Sequence, residues 1–156
     1  MQYVIARIRQ LTGRSNLIIL LSLFTLFSCK KEIVSNAPSI EFVKVNPSTV
    51  EIGKSNLTIT ISYKDADGDL GENNPDVKNL FVTDNRNGVV YQFRVQQLSP
   101  SGATISIQGQ LDIAMPNVGI TDGVTLESAT FSIYMKDRAG NQSNTVTSSS
   151  VNITTL

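Results

Sequence analysis

The sequence predicts an all-β sandwich of about seven or eight strands, because short alternating runs of apolar and polar residues recur between turn-forming residues. In the clearest run, NLTITISY, the apolar side chains share one face, and they are Leu57, Ile59, Ile61 and Tyr63. Beyond residue 38 no segment has helical periodicity, and no internal repeat is present. An eight-stranded barrel is the main alternative.

The first strands are expected at residues 40–45 and 49–52, interrupted by Asn46-Pro47-Ser48. Because proline cannot donate a ladder hydrogen bond, Pro47 favours an edge position or a switch between sheets. NLTITISY is the next strand, and an acidic loop follows it.

A hairpin is predicted after the acidic loop, with strands at 79–85 and 89–96 around the turn Arg86-Asn87-Gly88. The alternation of the second strand places four side chains on one face: Val89, Tyr91, Phe93 and Val95. Further strands are expected at 103–113, at 128–137 with Phe131, Ile133 and Met135 aligned, and at 144–155.

Two segments carry a resemblance to known domains. VNPSTVEIGKSNLTITISYKDADGDLG resembles the first two strands of bacterial immunoglobulin-like and fibronectin-like modules, and MKDRAGNQSNTV resembles their final hairpin. The resemblance implies an immunoglobulin-like sandwich over residues 39–156 and a role without catalysis. The cysteine pair and core tryptophan of antibody domains are missing, so the likeness is to the sandwich and not to antibodies.

The N-terminus has the pattern of a signal peptide, with a cationic stretch followed by a short apolar run. Arg7, Arg9 and Arg14 precede the apolar run LIILLSLFTLF, and no acidic residue occurs before Glu32. Eleven helical residues rise only about 16 Å, roughly half the hydrocarbon core of a bilayer, so the run is too short to span it.

The segment LFSCKKE resembles the cleavage site of Bacteroidetes-type lipoproteins. This resemblance implies cleavage after residue 28, lipidation and acylation (palmitate-like chains) of Cys29, and a tether over residues 29–38. Two or more acyl chains would anchor the protein stably to a membrane. Lys30 differs from the aspartate associated with inner-membrane retention, which favours the outer membrane, on its periplasmic side or at the cell surface.

Composition excludes several functions. Without residues 1–28 the chain keeps 128 residues, with ten Lys and Arg against 13 Asp and Glu, and a net charge of −3. Its only basic cluster is Lys30-Lys31, so nucleic acid is not an expected partner. Cys29 is the only cysteine and the sequence has no histidine, which removes the commonest general base and zinc ligand.

The loop YKDADGDLGE contains the candidate metal ligands Asp65, Asp67 and Asp69. An EF-hand is rejected, because Leu70 stands where the sharp turn needs glycine and Asp76 replaces the bidentate glutamate. In a sandwich, the loop after the second long strand and the final hairpin turn lie at the same end.

That placement would add Asp137 and Asn141 to a calcium site with the three loop aspartates. The alternative is a plain turn, since Asp, Asn and Gly are turn formers. The sequence leaves both interpretations of the Asp65–Asp76 loop open.

The expected function is therefore a non-catalytic, lipid-anchored module for binding or scaffolding in the cell envelope. An accessory lipoprotein that binds surface glycan or protein is the alternative, although Tyr134 is the one aromatic residue expected on a polar face. A hydrolase would have to use carboxylates alone, from Asp65, Asp67, Asp69 and Asp137, and a loop tip lacks the necessary cleft. The sequence names no ligand.

Overall fold

The computed structural model of the chain describes residues 35–155. The predictions of a signal peptide over residues 1–28 and of lipidation at Cys29 lie outside the described residues, as do Lys30-Lys31 and most of the tether. Within the described part, no helix has the length and hydropathy needed to cross a bilayer.

The described residues form an all-β, sandwich-like fold, as the alternating patterns predicted. It contains ten strands: β1 Ser39–Asn46, β2 Thr49–Glu51, β3 Leu57–Asp65, β4 Leu80–Asp84, β5 Val90–Phe93, β6 Ile107–Met115, β7 Leu126–Ala129, β8 Phe131–Met135, β9 Val146–Thr147 and β10 Val151–Thr154. The number exceeds the predicted seven or eight because two of the predicted strands are interrupted, by Thr130 and by residues 148–150.

One sheet has the order β1-β3-β6 and is antiparallel throughout. β3 and β6 pair without interruption from Leu57 opposite Met115 to Asp65 opposite Ile107. β1 pairs with β3 from Ser39 opposite Lys64, and its register shifts once between Phe42 and Lys44. β3 is therefore the central strand, and the acidic loop begins at its end.

The remaining strands form a sheet of order β5-β4-β8-β9 and a sheet of order β2-β10-β7. β7 and β8 follow one another along the chain and pair with β10 and β9, so the last four strands make one interrupted hairpin. β2 lies parallel to β10, whereas β1 pairs with β3. Pro47 stands between β1 and β2, and this confirms the predicted switch between sheets.

A single apolar core joins the sheets. Its fully buried members come from both sides and include Ile59 and Ile61 of β3, Val82 of β4, Phe131, Ile133 and Met135 of β8, and Val151 and Ile153 of β10. The inward faces predicted for NLTITISY and for the strand with Phe131 are confirmed, with Tyr63 half-buried against the core.

The strand predicted at 89–96 is shorter than expected. Val89 was predicted to share a face with Val95, but it belongs to the hairpin turn, where its carbonyl accepts from the Asp84 N–H, and it is 46 % exposed. β5 ends at Phe93, since the side chain of Asn79 bonds both the N–H and the C=O of Val95 in place of a strand. Val95 is nevertheless buried in the core.

Candidate functional site

The loop after β3 and the turn after β8 lie in contact, as the sequence predicted. The Ala139 N–H donates to Asp69 Oδ2 at 3.1 Å, and the Arg138 N–H donates to the Asp69 carbonyl at 3.3 Å. Arg138 Nη1 also donates to the Gly71 carbonyl at 3.0 Å. These three hydrogen bonds join two segments that are about 70 residues apart in sequence.

Three carboxylates converge in this loop. Asp65, Asp67 and Asp69 each place one carboxylate oxygen within 4.8 Å of those of the other two. Asp65 is the last residue of β3 and is only 1 % exposed, whereas Asp67 and Asp69 are half-buried. The alternating spacing of the three residues therefore brings their side chains together at the end of the central strand.

Each of the three carboxylates has at least one buried oxygen without a hydrogen-bond partner among the described residues. Asp65 Oδ2 accepts from the Leu70 N–H at 2.8 Å, and Asp69 Oδ2 accepts from Ala139. Oδ1 of Asp65, Asp67 and Asp69 is buried and accepts nothing from residues 35–155. Native structures rarely leave buried polar atoms unpaired, so these oxygens require an explanation.

No basic side chain supplies that explanation. The ion pairs of the described residues involve the carboxylates of Glu51, Asp84 and Glu127, and none involves the loop aspartates. Arg138 is nearby, but its guanidinium donates to the Gly71 carbonyl rather than to a carboxylate.

The cluster raises the pKa of two of its members. The pKa of Asp65 is raised above its ordinary value, chiefly by burial and further by the adjacent Asp67 carboxyl and the charges of Asp67 and Asp69, against the lowering effect of the Leu70 N–H. The pKa of Asp69 is also raised, chiefly by burial and then by the charges of Asp137 and Asp67. Both shifts mean that burial and mutual repulsion outweigh the stabilisation that the Leu70 and Ala139 N–H groups and the charge of Arg138 give to the ionised carboxylates.

The loop is held in place by an apolar residue. Leu70 is fully buried, its N–H binds Asp65, and its carbonyl accepts from the Leu98 N–H at 3.4 Å. The Glu72 N–H donates to the Val95 carbonyl at 2.9 Å. The loop is therefore packed against residues 94–99 and does not project as a free turn.

Two glycines allow this close packing. Gly68 and Gly71 have φ angles of +74° and +90°. A Cβ atom at Gly68 would clash with the Ile105 carbonyl, and one at Gly71 would clash with the Gln96 carbonyl. Positive φ is typical of glycine in a turn, and the clashes show that these two glycines also admit a neighbouring segment.

The other predicted ligands have partners of their own. Asp137 Oδ1 accepts from the Asn141 N–H at 2.7 Å, and Asp137 Oδ2 accepts from Asn141 Nδ2 at 2.8 Å. Asp137 does not belong to the group of carboxylates within 4.8 Å, although its charge acts on Asp69. Asp76 lies outside the cluster and is exposed.

A calcium ion fits the three converging oxygens. Calcium binds carboxylate oxygens at 2.3–2.6 Å, so two ligands on opposite sides of one ion lie about 4.6–5.2 Å apart. The grouping within 4.8 Å meets this limit. Zinc and copper would favour histidine or cysteine, and the described chain contains neither.

Tyr134 stands on the outer face of its sheet, as predicted, and has a partner there. Its ring stacks on Phe81, which lies opposite it in β4, with centroids 4.8 Å apart and an interplanar angle of 11°. Lys136 Nζ lies 5.8 Å from the Phe81 centroid. The two rings thus cover one face of each other, which is the cross-strand pair expected of an ordinary sheet.

Sequence reasoning missed an ion-pair cluster at the opposite end. Arg86 Nη2 lies 2.6 Å from Oδ2 of the fully buried Asp84, and Arg86 Nη1 lies 2.8 Å from Glu127 Oε2. Nη1 also donates to the Gly119 carbonyl at 2.9 Å. The pair Asp84-x-Arg86 was a local signal, but Glu127 is distant in sequence and only the fold reveals it.

In comparisons with known proteins, no protein-family model, no curated protein and no solved structure matches this chain. The function must therefore be argued from the residues themselves.

Proposed function

We propose that this chain is a non-catalytic, lipid-anchored protein of the bacterial cell envelope, with an immunoglobulin-like domain that serves as a binding or scaffolding module. In this proposal a calcium ion bound by Asp65, Asp67 and Asp69 stiffens the loop after β3. Cys29 carries the lipid and the outer membrane is the expected location.

One observation carries the calcium proposal: three buried carboxylate oxygens have no partner among the described residues. A plain turn formed by Asp and Gly uses its side-chain oxygens to bind its own backbone. Here the Oδ1 atom of each aspartate is left over, and Asp65 is almost completely buried. A bound cation would satisfy those oxygens and balance their charge.

Strand order supports the immunoglobulin-like assignment. The orders β1-β3-β6 and β4-β8-β9 correspond to the A-B-E and C-F-G orders of that sandwich, with β5 at the outer edge of the second sheet. The parallel pairing of β2 with β10 places the second part of the first strand beside the last one. The resemblance of the segments around Asp67 and Gly140 to such modules agrees with this order.

The non-catalytic part of the proposal rests on the chemistry of the loop. The sequence has no histidine, and the Oδ1 atoms of the three clustered aspartates are buried within a packed loop. General acid and base groups must reach a substrate, for which these buried oxygens are poorly placed.

Thermal unfolding of the purified full chain, with excess calcium or with EDTA, tests the calcium proposal. With a dissociation constant typical of extracellular sites, 10⁻⁴–10⁻³ M, millimolar calcium adds about 1 kcal/mol, or roughly 4 °C in Tm. We expect this rise in the parent and none in the double variant Asp67→Asn with Asp69→Asn. The absence of a rise in the parent overturns the proposal.

A matched control variant removes the same number of charges from the loop but leaves Asp65, Asp67 and Asp69 unchanged. Glu72→Gln with Asp76→Asn removes two charges from the same loop, outside the group of converging oxygens. This variant should respond to calcium as the parent does. A lost response here as well would mean that calcium acts through the general charge of the loop.

The lipid anchor is tested separately. Cells fed radiolabelled palmitate should label the parent chain, and Cys29→Ser should abolish the label and release the protein from the membrane fraction. Equal labelling of both proteins would refute the anchor and leave the calcium proposal untouched.

A further inference from the structure

Strand β6 is an unprotected sheet edge. It is nine residues long and pairs on one side with β3 over its whole length, without a bulge. Among the described residues, no main-chain or side-chain group outside β3 bonds to its backbone. Half of its N–H and C=O groups therefore point away from the sheet, ready to pair with another strand.

The other edges of this fold carry the protections that β6 lacks. β1 has a register shift and an exposed lysine, Lys44, and the side chain of Asn144 binds both the N–H and the C=O of Ile40. β2, β5, β7 and β9 are only three, four, four and two residues long. β6 has neither lysine nor proline, and Asp112 is its single charged residue. Natural sheets normally block a long edge that has no partner.

We infer that β6 pairs with β6 of a second copy of this chain, antiparallel about a two-fold axis at Leu111. Such an interface is self-complementary, as two-fold symmetry requires. A nine-residue antiparallel pair forms about eight to ten main-chain hydrogen bonds. The result is one continuous six-stranded sheet, in the order β1-β3-β6-β6-β3-β1.

The side chains suit this register. On the outer face, Asp112 lies opposite Gln110 of the second copy, so a carboxylate meets an amide and not another carboxylate. Gln108 lies opposite Ala114, which is neutral. All four of these side chains are exposed in the single chain.

The inner face contributes apolar contacts. Leu111 and Ile107 are only partly buried against the core. The two-fold axis brings Leu111 of each copy together and closes an apolar strip that one chain leaves at its edge. This burial favours a second copy over an unrelated extended peptide, which would need its own pockets along the edge.

Charge reversal at one cross-strand pair tests both the surface and its register. In Gln108→Glu with Ala114→Glu, each interface position places two carboxylates opposite one another. In the matched variant Gln108→Glu with Ala114→Lys, the same positions place a carboxylate opposite an ammonium group. Both variants change exposed side chains only, and Glu at 108 faces Lys64 of β3 within the chain.

The measurement is the molar mass of the full chain in detergent, by light scattering corrected for bound detergent. We expect the parent and the Glu/Lys variant to be dimers, and the Glu/Glu variant to dissociate at concentrations at least tenfold higher. Equal unfolding temperatures will show that both variants fold. A monomeric parent, or a Glu/Glu variant that dimerises like the Glu/Lys variant, overturns the inference.

This inference does not rest on calcium or on the lipid anchor. A photo-crosslinker at Gln110 in intact cells gives a second readout, for which we predict a crosslinked pair of this chain. A crosslink only to a different protein would contradict self-pairing and identify the edge as a site for another partner.

Discussion

The backbone N–H of Ala139 donates a hydrogen bond to Oδ2 of Asp69, across 3.1 Å and 70 positions of sequence. This bond fixes one oxygen of Asp69 and leaves the other, Oδ1, buried without a partner among the described residues. The turn after β8 thus orients an aspartate of the loop after β3. The two loops are therefore joined directly, and the proposed calcium site lies in the loop that this bond holds.

Neutralising one aspartate should raise the unfolding temperature without calcium and lower it, relative to the parent, when calcium is in excess. Asp67→Asn removes a charge that lies close to two others, and like charges about 4–5 Å apart cost about 1 kcal/mol even in water. In EDTA the variant should therefore unfold at a higher temperature than the parent, whereas in excess calcium it should lose the parent's gain. Calorimetry in both buffers measures the effect, and a variant that is less stable in EDTA contradicts the account.

As the pH falls, the calcium-free protein should gain stability relative to a variant that lacks the carboxyls of Asp65 and Asp69. The pKa values of Asp65 and Asp69 are raised in the folded state, mainly by burial, so the folded chain binds protons more tightly than the unfolded chain. Their contribution to stability is full below the ordinary pKa of 3.8 and is lost as the pH rises through the raised values.

The difference in Tm between the parent and the variant Asp65→Asn with Asp69→Asn isolates this contribution. In EDTA the parent should be the less stable of the two at pH 7, and the gap should narrow as the pH is lowered towards 4. A gap that stays constant over this range would show that the two carboxyls titrate normally.

Removal of Arg86 should destabilise the domain strongly. Asp84 is fully buried, and its ion pair with Arg86 offsets the cost of burying its charge. Arg86→Met therefore leaves an unbalanced carboxylate inside the protein. The expected loss is about 3–5 kcal/mol in the free energy of unfolding, measured by urea denaturation. Arg94→Met is the control: Arg94 is exposed and bonds only to carbonyls, so about 1 kcal/mol or less is expected. Similar losses in both variants would contradict the role of Arg86.

Glycine substitutions should separate backbone strain from crowding. Gly71 and Gly102 both have positive φ, but only at Gly71 would a Cβ atom meet a neighbouring carbonyl. Gly102→Ala should cost about 1 kcal/mol, from the φ angle alone. Gly71→Ala should cost at least about 2 kcal/mol more, because the segment at Gln96 must move. Equal costs, measured by denaturant unfolding, would show that the loop is not packed as described.

Local patterns predicted much of this fold. The alternation of NLTITISY predicted that Ile59 and Ile61 lie in the core. The turn residues before Asn141 predicted the final hairpin, which β8 and β9 form. These features depend on neighbours two to five residues apart, which the sequence displays directly. Pro47 likewise marked the change of sheet, because proline interrupts a ladder wherever it falls.

Features that depend on distant partners were not predictable from the sequence. Thr60 belongs by alternation to the outer face, yet it is 3 % exposed and its hydroxyl donates to Asp112 across the sheet. The stack of Phe81 on Tyr134 requires the register of β4 with β8. On sequence grounds, Leu70 served only to reject an EF-hand. An aliphatic residue within an acidic loop also indicates that the loop packs against the core at that residue.

The candidate site was predicted in part. The spacing of Asp65, Asp67 and Asp69 identified the residues that converge, and the strand order explained why the final turn lies beside them. That Asp137 and Asn141 bind each other depends on side-chain geometry within the turn. Ligation of calcium by any of the five stays a prediction.

Direct calcium binding tests the central claim. Isothermal titration of the full chain, purified in detergent and stripped with EDTA, should show one calcium ion bound per chain, with a dissociation constant on the order of 10⁻⁴–10⁻³ M. The variant Asp67→Asn with Asp69→Asn should bind none, and Glu72→Gln with Asp76→Asn should bind as the parent does. No binding to the folded parent at millimolar calcium, or unchanged binding to the first variant, would contradict the account.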